Sequence, residues 1–431
     1  MKYFHSVTLD KEKCHGCTNC ITHCPTEAIR VQQGKAKIIK ERCIDCGECI
    51  KVCQSHAKIA AADDFSMLDN FKYNIAMPAP SFYSQFRCEM SVNRILSAFL
   101  EIGFDDVFEV SRGAEYVSAA TRKLIAEGNL KMPIISSACP AVLRLIRERF
   151  ANLLPNVLKI LSPMETAAML AREEARKKTG LCDEEIGVFF ITPCPAKVTS
   201  IKSPLTLDKS YVSGAIPAKD AFAKIHHVID DVTEKPLAVS GTEGIIWAKS
   251  GGECRATGVE DYISVDGIDN VISVLEEIEN GKVNSVEFIE LAACTSGCSG
   301  GALNIVNPFL ASRRITQQSK KCGKIKVPEN ADLEKILWKK KVKGAPISPL
   351  DDDLSVAMEK MERMDEIYAD LPKLDCGSCG APTCRALAED IVRGFSTENS
   401  CIFKMRDRVH ELAKELFELN ESSYTDRKRK K

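Results

Sequence analysis

IGVFFITPCPAK, residues 186–197, decides the fold. Ile186 to Thr192 form a continuous apolar run, where a half-exposed strand would alternate. That is the mark of a strand buried on both faces, and such strands belong to parallel sheets. A cysteine and a proline follow at once. Outward from this stretch, FDDVFEVS (104–111) reads as a strand and Glu115 to Ala126 as a helix. MPIISS (132–137) reads as a strand, followed by a helix from Ala141 to Phe150. Met164 to Lys178 carries apolar residues at helical spacing, and VEFIELAA (286–293) is another strand. The alternation predicts an α/β domain with largely parallel sheets flanked by helices, over about residues 72–340.

Cysteines fall at the ends of these strands. Cys139 follows MPIISS in SSACPAV, and Cys194 follows IGVFFIT in TPCPAK. Cys294 ends VEFIELAAC and opens CTSGCSGG, which contains Cys298. In parallel α/β sheets ligands bind beyond the carboxyl ends of strands, so the four thiols are expected to converge on one cofactor. The alternative is four separate buried thiols.

The composition agrees with metal chemistry. The chain has 431 residues, 20 of them cysteine, and a formal net charge of −1. With 45% hydrophobic and 28% charged residues it is globular, not mostly disordered. The length suits about two to four domains. A near-zero charge excludes nucleic-acid binding through bulk electrostatics; the basic tail TDRKRKK (425–431) is expected to be unstructured and solvated. The start, MKYFHSVTLDKEKC, lacks the apolar run of a signal peptide. No stretch reaches the roughly 18 apolar residues of a membrane span. The expected location is therefore cytoplasmic, where clustered thiols bind metal more often than they pair.

Two further cysteine groups flank the α/β segment. Cys14, Cys17, Cys20 and Cys24 precede Pro25, and Cys43, Cys46, Cys49 and Cys53 repeat the spacing. This is the doubled pattern of a two-cluster bacterial ferredoxin. One [4Fe–4S] cluster would use Cys14, Cys17, Cys20 and Cys53; the other Cys43, Cys46, Cys49 and Cys24. The β-rich segment between them, residues 28–39, suits a ferredoxin hairpin. A pair of zinc sites is the alternative. At the far end, Cys376, Cys379, Cys384 and Cys401 suit one more [4Fe–4S] cluster or a zinc ion.

The three strand-end motifs resemble those of the [FeFe]-hydrogenase family, in the same order. APSFYSQF (79–86), FDDVFEVSRGAE (104–115) and SGGECRAT (250–257) extend the likeness. The resemblance implies an H-cluster, a [4Fe–4S] cube joined to a two-iron centre carrying CO, cyanide and a bridging dithiolate amine. On the matching positions, Cys139, Cys194, Cys294 and Cys298 would hold the cube, and Cys298 would bridge to the two-iron unit. Lys197 matches the lysine that hydrogen-bonds a cyanide, and Pro80 and Ser81 match residues lining the same ligands.

The departures from the family pattern are as informative. The proton-relaying cysteine of the productive enzymes is Ala138 here, and the helix stretch Tyr116–Ile125 has no acid. Thr192 and Ala292 stand where methionines touch the two-iron unit. Glu253 and Glu290, with Cys254, are read as a substitute proton route, against structural roles for both acids. These losses, with the extra C-terminal cysteines, resemble the sensory branch of the family (group D-like). H2 and protons would be the substrates. A redox or signalling protein and maturation proteins for the two-iron centre would be partners, since no flavin, nicotinamide or P-loop motif is present.

The expected organisation is a two-cluster ferredoxin-like α+β domain (1–70), an H-cluster domain (71–345), a helical linker (346–372), a small helical four-cysteine domain (373–405), and a helix with basic tail (406–431). Apolar stripes in the last helix (Val409, Leu412, Leu416, Leu419) and in the linker (Leu354, Met358, Met361, Met364, Ile367) offer partner contacts or pack on the chain's own core. Cys88, Cys182 and Cys322 match no motif.

Overall fold

The computed structural model describes residues 4–283, 285–325, 327–328, 331–345, 350–351 and 353–429, with side chains to residue 419. The chain forms two compact units, each assembled from separated segments. The first comprises Met1–Thr8, Ile44–Lys51 and Ile59–Pro346; the second comprises Leu9–Cys43, Val52–Lys58 and Ile347–Lys431.

The first unit is built on two parallel sheets. Its strands are β1 (Tyr73–Pro78), β2 (Asp106–Val107), β3 (Ile134–Ile135), β4 (Ile186–Thr192), β5 (Gly214–Pro217), β6 (Tyr262–Asp266) and β7 (Phe288–Ala292). One sheet has the order β2-β1-β4-β5 and the other β6-β7-β3, with every pairing parallel. β4 spans the apolar run read from the sequence, and all seven of its residues are buried. It is central in its sheet, between β1 and β5, so neither edge nor face meets water. Five helices of this unit carry or flank the cysteine motifs: α1 (Val110–Glu127), α2 (Pro140–Arg149), α3 (Pro163–Thr179), α4 (Pro195–Lys202) and α5 (Gly252–Thr257).

Two strands are shorter than expected. FDDVFEVS pairs only at Asp106–Val107, and α1 begins at Val110. The break falls at Glu109, whose carboxylate accepts the backbone N–H groups of Val239 (2.6 Å) and Ser240 (2.9 Å). It also accepts the Tyr83 hydroxyl at 3.0 Å. A buried acid held by three donors fixes a turn that hydropathy does not register. MPIISS likewise pairs only at Ile134–Ile135, because the chain turns at Ser136 toward the loop that carries Cys139.

In the second unit, strands Ile29–Gln32 and Lys35–Ile38 pair antiparallel, the hairpin expected between the two cysteine groups. The helix Leu354–Asp370 (α6) buries Met364 and Ile367 against Cys384 and Leu387 of α7 (Cys384–Val392), so its C-terminal half is core. Leu354, Met358 and Met361 remain exposed. The last helix, α8, runs Ile402–Arg429, so the backbone of the tail read as unstructured is helical to Arg429. The hairpin meets the C-terminal segment closely. Val31 N–H donates to Gly380 O at 2.8 Å. A Cβ at Gly380, where φ is +85°, would lie 1.9 Å from Val31 O, so only glycine fits.

Arg30 makes a two-pronged ion pair with Asp390, Nε to Oδ2 at 2.5 Å and Nη2 to Oδ1 at 3.2 Å, with both side chains buried. Removing one partner of such a pair strands the other charge. Arg30→Met is therefore expected to cost about 3–5 kcal/mol. Calorimetric unfolding of the iron-reconstituted chain would register it as a lowered transition, and an unchanged profile would contradict it.

Candidate functional site

The two CP dipeptides have one local explanation. Cys139 is the N-cap of α2 and Cys194 the N-cap of α4, with Pro140 and Pro195 as the first helical residues. Proline is favoured there because its missing N–H would have no partner in the helix anyway. Each cysteine thus sits between a strand's carboxyl end and a helix N-terminus, whose partial positive charge suits an anionic cluster. Cys294 follows β7, and Cys298 sits in the tight turn Gly297–Gly300. The glycines are required by close approach. A Cβ at Gly300 would lie 1.9 Å from Thr295 O, and one at Gly301 would lie 2.3 Å from Pro193 O.

All four cysteines line one cavity of about 890 Å³, part of it open to solvent. Ala138, Lys197, Glu253, Glu290 and Pro80 line it too, among Met164, Phe190 and Trp247. Lys197 Nζ lies 3.4 Å from Cys298 Sγ. Burial by itself would lower the pKa of Lys197, but the neighbouring charges of Cys298, Cys194 and Cys139 outweigh it and the net shift is upward. The lysine is a partly buried cation held against sulfur. Ser81 follows Pro80 and is fully buried; its Oγ has no hydrogen-bond partner within the protein. Its neighbours Ala79 and Pro80 line the cavity, and Ser81 itself does not.

The residues fit an iron–sulfur centre extended by a polar-ligand group. Four convergent thiols suit a cube. One ammonium and one buried hydroxyl that lacks a partner are the donors that small anionic ligands would need.

The acids proposed from sequence meet in the same wall. Glu290 Oε1 accepts Gly251 N–H at 2.9 Å, and Oε2 accepts Cys254 N–H at 3.0 Å. Glu253 Oε2 accepts the Ser136 hydroxyl at 2.6 Å, and Ser136 Oγ in turn accepts Ala138 N–H at 3.2 Å. Burial, and then the charge of Glu290, push the Glu253 carboxyl up to about 8. Burial raises Glu290 as well, against the backbone N–H groups that favour its charged form. Cys254 is fully buried, and burial together with the charge of Glu290 raises its thiol. Two adjacent buried acids thus favour holding at least one proton between them.

This proton makes stability depend on pH. Glu253 is held above the ordinary carboxyl range, so the native state keeps a proton that the unfolded chain releases. Its contribution to stability is full below that ordinary range and is lost as pH rises through about 8. Glu253→Gln, which cannot titrate, is expected to flatten the decline of the melting temperature across that window. Parallel melting curves for the two proteins would contradict this.

Sequence reasoning missed Ser136, which links Ala138 to Glu253, and the segment Ile44–Lys51. That segment carries Cys46 and Cys49 and packs beside the cavity. A Cβ at Gly47 would lie 2.9 Å from both Pro195 Cγ and Ala302 Cβ. Cys46 packs in one core cluster with Cys139, Cys194 and Ala293. At Lys51, burial lowers the pKa, and the charges of Cys294 and Glu48 raise it to a net upward shift. In the second unit, Cys376, Cys379, Cys384 and Cys401 line one small cavity of about 300 Å³. Backbone N–H groups of Ala28 and Ala57 donate to Cys24 and Cys53 Sγ at 3.2 Å each.

Two parallel sheets with four cysteines at their carboxyl ends define a hydrogenase-type H-domain. The family Iron only hydrogenase large subunit, C-terminal domain, matches residues 72–219 and 223–302, and the chain belongs to it. A 4Fe-4S dicluster domain matches residues 6–54, and an Fe-S cluster domain matches 371–403. Iron hydrogenase 1 of Clostridium pasteurianum is 24% identical, over 70% of this chain and 66% of that protein. The periplasmic [Fe] hydrogenase large subunit of Nitratidesulfovibrio vulgaris is 28% identical, over 45% of this chain and 50% of that one. The chain thus spans one half to two thirds of the length of these hydrogenases. A Drosophila mojavensis protein named "Probable cytosolic Fe-S cluster assembly factor" is 20% identical, over 72% of this chain and 76% of that one. A solved [FeFe]-hydrogenase of Chlamydomonas reinhardtii aligns with a TM-score of 0.49 at 14% identity, over 64% of this chain and 95% of that one. Among the described residues no helix is long and apolar enough to cross a membrane.

Proposed function

We propose that this chain reacts reversibly with H2 (H2 ⇌ 2 H+ + 2 e−) at an H-cluster, slowly, as a hydrogen or redox sensor of the cytoplasm. The observation that carries this reading is Lys197. It lines the cysteine cavity, partly buried, 3.4 Å from the sulfur that would bridge to a two-iron unit. A cube alone needs four thiolates and no buried ammonium, whereas cyanide-bearing iron needs a donor. Cys139, Cys194, Cys294 and Cys298 would hold the cube, and Lys197 and Ser81 would hold the two-iron unit. When bound, that group supplies the site of H2 splitting.

The protein's own part is to hold the group dry and to move protons. Glu253 and Glu290, with Cys254 beside them, are the candidates, because they line the cavity and Glu253 sits near 8, close to a working pH. Ala138 carries no proton, so the transfer gap next to the metal is wide and turnover is slow. Electrons would leave through Cys46 and Cys49, which the ferredoxin pattern assigns to a [4Fe–4S] cluster. Two N-terminal clusters and one C-terminal cluster would pass them to a redox or signalling protein. Maturation proteins would deliver the two-iron unit.

The likeness to proteins named as assembly factors favours a second reading, an iron–sulfur carrier or electron-transfer protein without the two-iron unit. Infrared spectra after supply of a two-iron cofactor separate the readings. Iron-bound CO and cyanide bands are expected. A spectrum without them would support the carrier.

A further inference from the structure

We infer that α8 is a dimerisation element that pairs with α8 of a second copy of this chain in a parallel two-stranded coiled coil. The apolar stripe read from sequence begins at Val409, but the helix starts at Ile402 and brings two more residues into line. Ile402, Met405, Val409, Leu412, Leu416 and Leu419 succeed each other at steps of 3, 4, 3, 4 and 3 residues. That is a strict heptad seam, with Ile402, Val409 and Leu416 at one core position and Met405, Leu412 and Leu419 at the other. A helix packed on a globular core shows a broader face with a period of 3.6. All six are between 43% and 65% exposed. Ile402 also lines the four-cysteine cavity of its own chain, and from Met405 to Leu419 the chain's own fold does not cover the seam. It is about 27 Å long.

The seam names its occupant. β-Branched residues hold two of the three first core positions (Ile402 and Val409, with Leu416 the third), and leucine holds two of the three second ones (Leu412 and Leu419, with Met405 the third); β-branched residues at the first with leucine at the second favour parallel two-stranded coils. The flanking charges do not oppose a like copy. In the parallel register Arg408 faces Ala413 of the partner subunit, so no like charges meet there. Arg408 is held by Glu411 of its own helix at 3.0 Å. The next seam positions, Ser423 and Asp426, are polar, so the repeat closes at Leu419. Because Ile402 directly follows Cys401, pairing would set the two C-terminal four-cysteine sites beside one another.

The test is sedimentation of the full-length, anaerobically reconstituted chain at micromolar concentration. The wild-type protein is expected as a two-chain particle. Leu412→Glu is expected to halve the particle mass while iron per chain stays the same, since Leu412 touches no cysteine cluster. An equimolar mixture of Leu412→Glu and Leu412→Lys chains is expected to recover the two-chain particle, because Leu412 faces its own copy in a parallel register. A one-chain wild-type particle, or a two-chain Leu412→Glu particle, would overturn the proposal. Failure of the mixture to associate would overturn the parallel register.

Discussion

Lys197→Met lowers the yield of iron-bound CO and cyanide bands at least about tenfold after supply of the two-iron unit, and H2 uptake falls with it by about 10²-fold or more. The side chain packs against Cys298 in the cavity wall, and the charges of Cys298, Cys194 and Cys139 favour its protonated form. Methionine fills much the same space without a donor or a charge. Small anionic ligands in a cavity walled by Met164, Phe190 and Trp247 then have no cation opposite them. The cube should survive, because no cysteine changes, and its paramagnetic signal on reduction is the control. Lys197→Arg, which keeps charge and donors, should retain part of the band intensity. If Lys197→Met loads and reacts like wild type, the lysine is only a partner to cluster sulfur, and the carrier reading gains.

The second large effect runs the other way. Ala138→Cys is expected to raise the rate of H2 oxidation by about 10–100-fold. Ala138 lines the cavity, and its N–H donates to Ser136 Oγ, whose hydroxyl donates to Glu253. A thiol at this position would stand between the cavity where the metal group would sit and the first buried acid, with Ser136 already bridging to Glu253. The gain should vanish in the double variant Ala138→Cys, Glu253→Gln, because the relay then ends on an amide. In the wild-type background, Glu253→Gln and Glu290→Gln should each lower the current. Unchanged rates in both would end the carboxylate route, and an Ala138→Cys gain that survives Glu253→Gln would place the relay elsewhere.

What the sequence made legible divides along physical lines. β4 was readable to its ends because a strand buried on both faces leaves a continuous apolar run, and nothing local competes with it. The four cavity cysteines were readable from the strand ends they follow, and three of them carry a further signature of their backbone. Proline at the first helical position marks Cys139 and Cys194, and glycines with no room for a side chain mark Cys298. The ends of β2 and β3 were not readable. Each is set by a polar side chain, Glu109 and Ser136, with a partner more than a hundred residues away, Val239 and Glu253. The same long separation hid Ser136 as the link between Ala138 and Glu253. The full seam of α8 was obscured because Ile402 and Met405 lie within four residues of Cys401 and fall in the segment 373–405 read as the four-cysteine domain, whereas the helix already starts at Ile402.

Whether the cysteine cavity holds a hydrogen-reactive centre is tested most directly by formation of HD from D2 in ordinary water. Exchange needs H2 splitting and proton release but no external electron partner. The loaded protein is expected to produce HD, and Cys298→Ala, which lacks the sulfur proposed to bridge to the two-iron unit, is expected to produce none above the unloaded chain. A protein that shows iron-bound CO and cyanide bands yet forms no HD beyond its unloaded form would contradict the hydrogen-reactive reading.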